Sequence, residues 1–288
     1  MPNGRFATLD NNDVRQGLEP PKLLTARMVH VTTLRLLSYN VRSMRDDVDA
    51  LGRVMREIRP DVAIIQEAPR FLRWRSKCAA LARRAGMVGV TGGRATGANL
   101  VLSSLAVQVI DRHELAFTAD KHLHRRGCAI AVLKLAGSPF AVAGTHLDLI
   151  EAPRLRHLDE LADFAERNLP DNAPLIVGGD VNAVPTSATW QRMQRFGTDA
   201  FAAVGSGDGF TYSTVAPVRR IDGVFADPRL RPVRAEVIDS ADVRIASDHR
   251  PLVVEFLLPD VDTEAGDDAG AVELPAHAEG VQLPGQGE

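Results

Sequence analysis

The chain has little of several things. Two cysteines, Cys78 and Cys128, are too few for a disulfide framework, and both sit in apolar or helical contexts that suit buried free thiols. No apolar run has the length of a membrane span, so no transmembrane segment is expected. No continuous hydrophobic segment of signal-peptide type opens the sequence, and the expectation is a cytoplasmic protein. Aromatic residues make up only 5%, which argues against a secreted, membrane-docking protein. Lysine is confined to Lys22, Lys77, Lys121 and Lys134, so arginine carries most of the positive charge. What is present suits a soluble fold: 45% of residues are hydrophobic and 25% charged, enough for a core under an ordinary surface.

Charge is unevenly placed. From Pro259 onward there are eight acids and no Lys or Arg, so a chain of net charge −3 carries +5 over residues 1–258. That mildly basic part is compatible with a polyanionic substrate without requiring one. Residues 259–288 are rich in Gly, Ala, Pro and acids and read as a disordered, solubilising tail. Residues 1–30 lack periodicity and read as a disordered arm, with Met28 a second candidate start.

Between them, buried strands repeatedly end in polar residues. Leu34–Asn40 reads as a strand, Asp46–Ile58 as an amphipathic helix stopped by Arg59-Pro60, and Val62–Gln66 as a buried strand followed by Glu67. If the two strands are parallel neighbours, Asn40 and Glu67 meet at one sheet edge. Phe71–Ala85 reads as a helix and Thr91–Gly97 as a Gly-rich loop without the phosphate-loop pattern. Strands are expected at Met87–Val90, Asn99–Ser103 and Ala106–Asp111. Lys121, His122, His124, Arg125 and Arg126 form a basic stretch, read as a solvated loop, a rim for phosphate or, through His122 and His124, a two-histidine metal site. Cys128–Leu135 and Pro139–Leu147 read as an antiparallel pair, the second ending in His146 and Asp148 on a shared strand face.

Ala152–Asn168 reads as a helix, and Leu175–Val177 then leads into Gly178-Gly179-Asp180-Val181-Asn182. A carboxylate and an amide two apart can take a proton from water and donate to an oxygen, or merely form an Asx turn. Ser187–Phe196 is expected to be a helix with Ser187 as N-cap, and residues 197–219 to be rich in loops. Asp222 lies inside an apolar strand, where a carboxylate needs a partner. Asp248 and His249 precede a last strand, Leu252–Leu257, and would point to different sides. No Cys/His set suits zinc and no Gly-x-Ser-x-Gly elbow is present; an oxygen-rich set suits Mg²⁺ or Mn²⁺.

The segments LLSYNVR, IIQE, GTHLD, GGDVN, RRID and SDHRP stand in the order seen in the endonuclease/exonuclease/phosphatase superfamily, which the chain resembles from Leu34 to Leu257. That resemblance implies an α/β (α+β) fold, a four-layer α/β/β/α sandwich of two mixed sheets, with residues 31–258 as the catalytic domain. It implies a Mg²⁺-dependent hydrolase of phosphoester bonds. Glu67 would be the main metal ligand beside Asn40, with Asp248 completing the metal or water network. Asp180 would deprotonate the attacking water, and Asn182 would hold that water and a phosphate oxygen. His249, polarised by Asp222, and His146 would contact the phosphate from two sides, with Asp148 and Arg126 at the substrate. Gly223 follows Asp222 where many relatives carry an aromatic, which implies a wider pocket.

The resemblance spans nucleases, inositol-polyphosphate phosphatases, sphingomyelinases and deadenylases. The first expectation is a phosphodiesterase acting on nucleic acid, favoured by the basic core and by Arg125, Arg126, Arg219 and Arg220. The alternative is a phosphatase or phosphodiesterase for a lipid head group or small phosphorylated metabolite. A non-catalytic binding module is a third, disfavoured because Glu67, Asp180 and His249 are all present. No protein partner is inferable.

Overall fold

The computed structural model describes residues 32–259. The arm expected over 1–30 and, Pro259 apart, the acidic tail lie outside the described residues. In chain order the first elements are β1 Thr33–Asn40, α1 Val48–Ile58, β2 Val62–Gln66, α2 Trp74–Ala85, β3 Val88–Gly93 and β4 Asn99–Ser103. Next come β5 Val107–Ala116, β6 Gly127–Leu135, β7 Ser138–His146, α3 Glu151–Asn168, β8 Leu175–Asp180 and α4 Ala188–Met193. The last are β9 Thr198–Asp199, α5 Ala200–Val204, β10 Asp222–Ala226, β11 Arg231–Val237, α6 Ala241–Ala246 and β12 Leu252–Leu257.

Two six-stranded mixed sheets result, in the orders β11-β12-β1-β2-β4-β3 and β5-β6-β7-β8-β10-β9. Their inner faces meet through Leu34, Leu36 and Ile64 on one side and Phe140, Val142, Ile176 and Val224 on the other. The outer face of the first sheet, with Leu37, Tyr39 and Ile65, is covered by Leu51 and Met55 of α1, Leu81 of α2 and Val243 of α6. The outer face of the second, with Ala143, Val177 and Phe225, is covered by Leu158 of α3 and Trp190 of α4. The four-layer sandwich is therefore the fold, and each fully buried aliphatic side chain in it contributes about 1.5–3 kcal/mol. Among the described residues no helix is long and apolar enough to cross a membrane.

Local chemistry sets the elements. Asp47 caps α1 by accepting from the Asp49 and Ala50 amides at 3.0 and 2.8 Å, and Ser187 caps α4 as expected. Strand β5 runs five residues past the expected end at Asp111, because Arg112-His113-Glu114 form an exposed, polar edge strand without an apolar alternation to mark it. Strand β3 likewise continues into the expected Gly-rich loop as far as Gly93. The loop-rich stretch after residue 196 hides β9 and α5, each too short for a periodic signal.

Strand alternation then sorts the polar residues. Leu34 and Leu36 face the other sheet, so Asn40 does too; Phe140 and Val142 set the same parity for His146, Ile176 for Asp180, and Val224 for Asp222. Glycines let the sheets close beneath these side chains. A Cβ on Gly144 would stand 2.4 Å from Ile64 Cγ2. Gly179, at φ +144°, would place a Cβ 1.8 Å from the Thr145 carbonyl oxygen, so only glycine fits there.

Candidate active site

Pairing registers bring the site together. His146 is paired with Asp180 across parallel β7 and β8, and Asp222 with Asp180 across antiparallel β10 and β8. In the facing sheet Asn40 is paired with Gln66, which puts Glu67 next to it, and His249 lies on the connection entering β12. Glu67 and Asn182 both leave their strands in the left-handed region, with φ of 51° and 52°. Asn tolerates this conformation; for Glu67 it is a local strain held by the fold.

Asp180 is the hub. Its Oδ2 accepts from Asn40 Nδ2 at 3.0 Å and lies 3.4 Å from His146 Nε2 and 3.7 Å from His249 Nε2. Its Oδ1 accepts from the Asn182 amide at 3.0 Å. Asn40 Nδ2 also reaches Glu67 Oε1 at 3.4 Å, so one amide links the two carboxylates. Buried Asp222 has its partner: its Oδ2 is 2.9 Å from His249 Nδ1, while its Oδ1 is buried without one.

The two histidines differ in charge. Burial, aided by the nearby Arg126 cation, outweighs Asp180 and pushes His146 down to about 3, so it is neutral at pH 7. Burial also works against the charge of His249, but Asp222, Asp180 and Asp248 outweigh it and hold the ring up to about 10. Asn182 Nδ2 donates to the Leu147 carbonyl at 3.0 Å and faces His146 Nε2 at 3.0 Å. An amide donating to both leaves the proton of neutral His146 on Nδ1, which is buried without a partner. Both Asn182 amide hydrogens are then committed within the protein, and its carbonyl oxygen is what faces outward.

The remaining expected residues form the walls. Arg126 is partly buried, its Nε 3.8 Å from Asp148 Oδ2, and desolvation lowers its pKa against the pull of Asp148, Asp180 and Glu67. Asp148 does not share a strand face with His146, because β7 ends at His146. Its Oδ1 instead accepts from the Ile150 amide at 3.0 Å and turns the chain into α3. Asp248 and His249 diverge as expected: His249 is buried, whereas Asp248 is half-exposed and lies 3.4 Å from Arg42 Nε. A cavity of about 210 Å³ opens between Glu67 and His146, walled by Arg45, Arg70, His124 and Arg126.

Two sequence expectations need correcting. Gly223 does not widen the pocket: a Cβ there would stand 2.9 Å from the Phe225 and Trp190 rings, so that space is already filled. Arg220 is not free for substrate, since it makes two bonds to Asp199 at 3.0 and 2.9 Å and lies over Trp190. The sequence reading also missed contributors. Tyr212 packs on His249 with ring centroids 4.9 Å apart, and Ser247 Oγ donates to the Asn40 carbonyl at 2.7 Å. Ser247 stood in the SDHRP segment, but Tyr212 and Arg70 sit in loops without a pattern.

Three nitrogens surround Asp180 Oδ2, and the carboxylates nearest it are those of Glu67 and Asp222. Among the described residues Asp180, Asp222 and His249 offer ligand atoms within 4.8 Å of one another, and the unpartnered Asp222 Oδ1 adds a buried negative oxygen. His249, held protonated by Asp222, is no ligand; the carboxylates of Asp180 and Glu67, linked by Asn40 Nδ2, supply the oxygens that fit a hard divalent cation.

No curated protein matches the sequence. Solved structures do match in fold. An endonuclease/exonuclease/phosphatase family protein from Bacteroides thetaiotaomicron superposes with a TM-score of 0.68 at 17% identity, over 80% of this chain and 99% of that one. A mannosyl-6-phosphatase from the same organism gives 0.68 at 17%, over 78% and 100%. D. rerio TDP2 complexed with single strand DNA product gives 0.61 at 18%, over 78% and 99%. Residues 37–249 match the profile of the Endonuclease/Exonuclease/phosphatase family, and the chain belongs to that family.

Proposed function

We propose that the chain is a divalent-metal-dependent phosphodiesterase acting on nucleic acid. The observation that carries this reading is Asp180 Oδ2, which has Asn40, His146 and His249 around it beside an arginine-walled cavity. Asn40 donates to this carboxylate, and the protonated His249 ring holds it by charge. Asp180 accepts a proton from the attacking water, and the outward carbonyl of Asn182 accepts the other water hydrogen. The water oxygen bonds to phosphorus as the ester oxygen leaves. Protonated His249 offers Nε2–H to a phosphate oxygen; neutral His146, whose Nδ1 is buried, instead accepts from Asn182 at Nε2 and positions that side chain. Asp222 keeps the proton on His249 and fixes the ring. Arg126, with Asp148 behind it, adds positive charge at the phosphate.

Glu67 and Asn40 would hold Mg²⁺ or Mn²⁺, with Asp248 toward its water shell. When bound, the cation draws negative charge from the phosphate and the leaving oxygen. A second reading, a phosphatase for a lipid head group or small phosphorylated metabolite, is favoured by the modest size of the inner cavity, about 210 Å³.

The test is product release from plasmid, single-stranded DNA, RNA, a phosphoinositide, a sugar phosphate and bis(p-nitrophenyl) phosphate. Each is run with Mg²⁺, with EDTA and with Asp180→Ala. Nucleic-acid cleavage lost in both controls supports the proposal. Cleavage of monoesters alone moves the chain to the second reading. Silence with Mg²⁺ and Mn²⁺ on every substrate overturns the hydrolase reading.

A further inference from the structure

Beside the inner cavity lies a much larger cleft, of about 1010 Å³. The two share Arg70, Phe71, His124 and Arg126 as a common wall. A pocket for a drug-sized ligand runs to roughly 1,000 Å³, so this cleft takes more than one phosphate group.

Three chain connections and the start of a helix build it: the β2–α2 turn gives Arg70 and Phe71, the first turn of α2 gives Arg75, the β3–β4 turn gives Arg94, and the loop before β6 gives Arg125 and Arg126. Five arginines therefore face a single acid, Glu114, whose Oε1 already accepts from the Gly92 amide at 3.2 Å. Arg70, Arg75, Arg94 and Arg125 make no ion pair among the described residues. Elsewhere on this surface most arginines are paired, as Arg53, Arg229 and Arg244 are.

The aromatics are equally specific. Phe71 is 72% exposed, an unusual place for a phenyl ring in a chain this poor in aromatics. The Arg70 guanidinium lies 5.3 Å from its centroid, and that of Arg75 lies 4.4 Å from the Trp74 ring. Phe71 with Arg70 presents a flat cationic and aromatic surface, whereas Trp74 packs on the core and against Gly93 and offers its edge, with Arg75 laid over it. Arginines along a groove track a phosphate backbone, and flat rings stack on bases that a duplex would keep hidden.

We infer that the cleft lined by Arg70, Phe71, Trp74, Arg75, Arg94 and Arg125 binds the single-stranded nucleotides adjoining the scissile phosphate. The inference rests on the phosphodiesterase reading and deepens it: the substrate is single-stranded nucleic acid, held on the Glu67 side of the site.

Binding can be tested apart from hydrolysis. The full chain is titrated with a fluorescein-labelled oligothymidylate in EDTA, and anisotropy is followed over a range of salt. Arg75→Glu combined with Arg94→Glu should weaken binding about tenfold or more and flatten the salt dependence by about 1.4, from two lost phosphate contacts. Phe71→Ala, at an exposed position that risks no folding defect, should weaken it about fivefold with the salt slope kept. Wild-type affinity in both variants overturns the inference, as does a duplex that binds as tightly as the single strand. Binding of anionic phosphatidylserine vesicles that needs Arg75 and Arg94, with the oligonucleotide indifferent to them, overturns it in favour of a lipid head group. Hydrolysis of bis(p-nitrophenyl) phosphate separates the two readings. Turnover of that ester with no variant effect on binding discards the cleft alone. Arginine-dependent binding without turnover discards the hydrolase reading and leaves the cleft.

Discussion

The two flanks of Asp180 hold the same kind of side chain and treat it in opposite ways. His146 and His249 are equally buried, and both bring Nε2 within 4 Å of one carboxylate oxygen. One ring is pushed down to about 3, the other up to about 10. The difference lies behind the rings. His249 has Asp222 on its far nitrogen, while His146 has an unpartnered Nδ1 and the Arg126 cation nearby. The added carboxylates of Asp222 and Asp248, Asp222 foremost, decide whether burial neutralises the imidazole or keeps it charged. The site thereby holds one neutral ring that accepts and one charged ring that donates at the same pH.

The largest expected effect removes the centre that both flanks share. Asp180→Asn should lower turnover of any cleaved phosphodiester by about 10³-fold or more, with KM changing far less, as steady-state kinetics would show. A loss below tenfold would mean that another group takes the proton.

Erasing the difference between the flanks comes next. Asp222→Asn leaves His249 buried without its main counter-charge, so the ring should lose its proton below pH 7. Turnover at pH 7 should fall about 10²-fold and partly recover in acid. Histidine signals followed by NMR across pH, in EDTA, would show the shift; an unmoved His249 would sink the account.

Stability gives a gentler version of the same test. His249 binds its proton more tightly when folded, so its stabilisation is full below about pH 6.5 and is lost as pH rises through about 10. His146 has the opposite sign, withholding stability as pH falls from about 6.5 toward 3. Thermal melting in EDTA should therefore show a decline on the alkaline side that His249→Gln flattens. An unchanged alkaline slope in that variant would count against the raised pKa.

The smallest effect lies outside the site. Gly223→Ala should destabilise the fold by about 1–3 kcal/mol, because Trp190 and Phe225 must move, while KM stays as it was. A changed KM with unchanged stability would restore the wider-pocket expectation.

The polar edge of the candidate site was legible in the sequence because each of its residues ends or opens an apolar strand with clear alternation. Asn40, His146, Asp180 and Asp222 share one parity, and two adjacent glycines mark the closest backbone approach. The walls were less legible. Arg220 is occupied by Asp199, 21 residues away, and no local pattern announces such a pairing. Arg70 and Arg94 meet only because two separate turns converge, and the polar face of β5 conceals half of that strand. Periodicity reports what a strand buries; it does not report which loops meet over its end.

Strand β8 is paired on both sides, to β7 and to β10, whereas Arg70 and Phe71 stand on a connection between elements. That difference extends into time. The His146 and Asp180 amides should resist hydrogen exchange until the sheet opens as a whole, while the Arg70–Phe71 turn exchanges freely. The reacting groups then keep their geometry through every fluctuation of the wall beside them. On the proposed function, substitutions in the turn should redraw which molecule is held while leaving the geometry at Asp180 undisturbed.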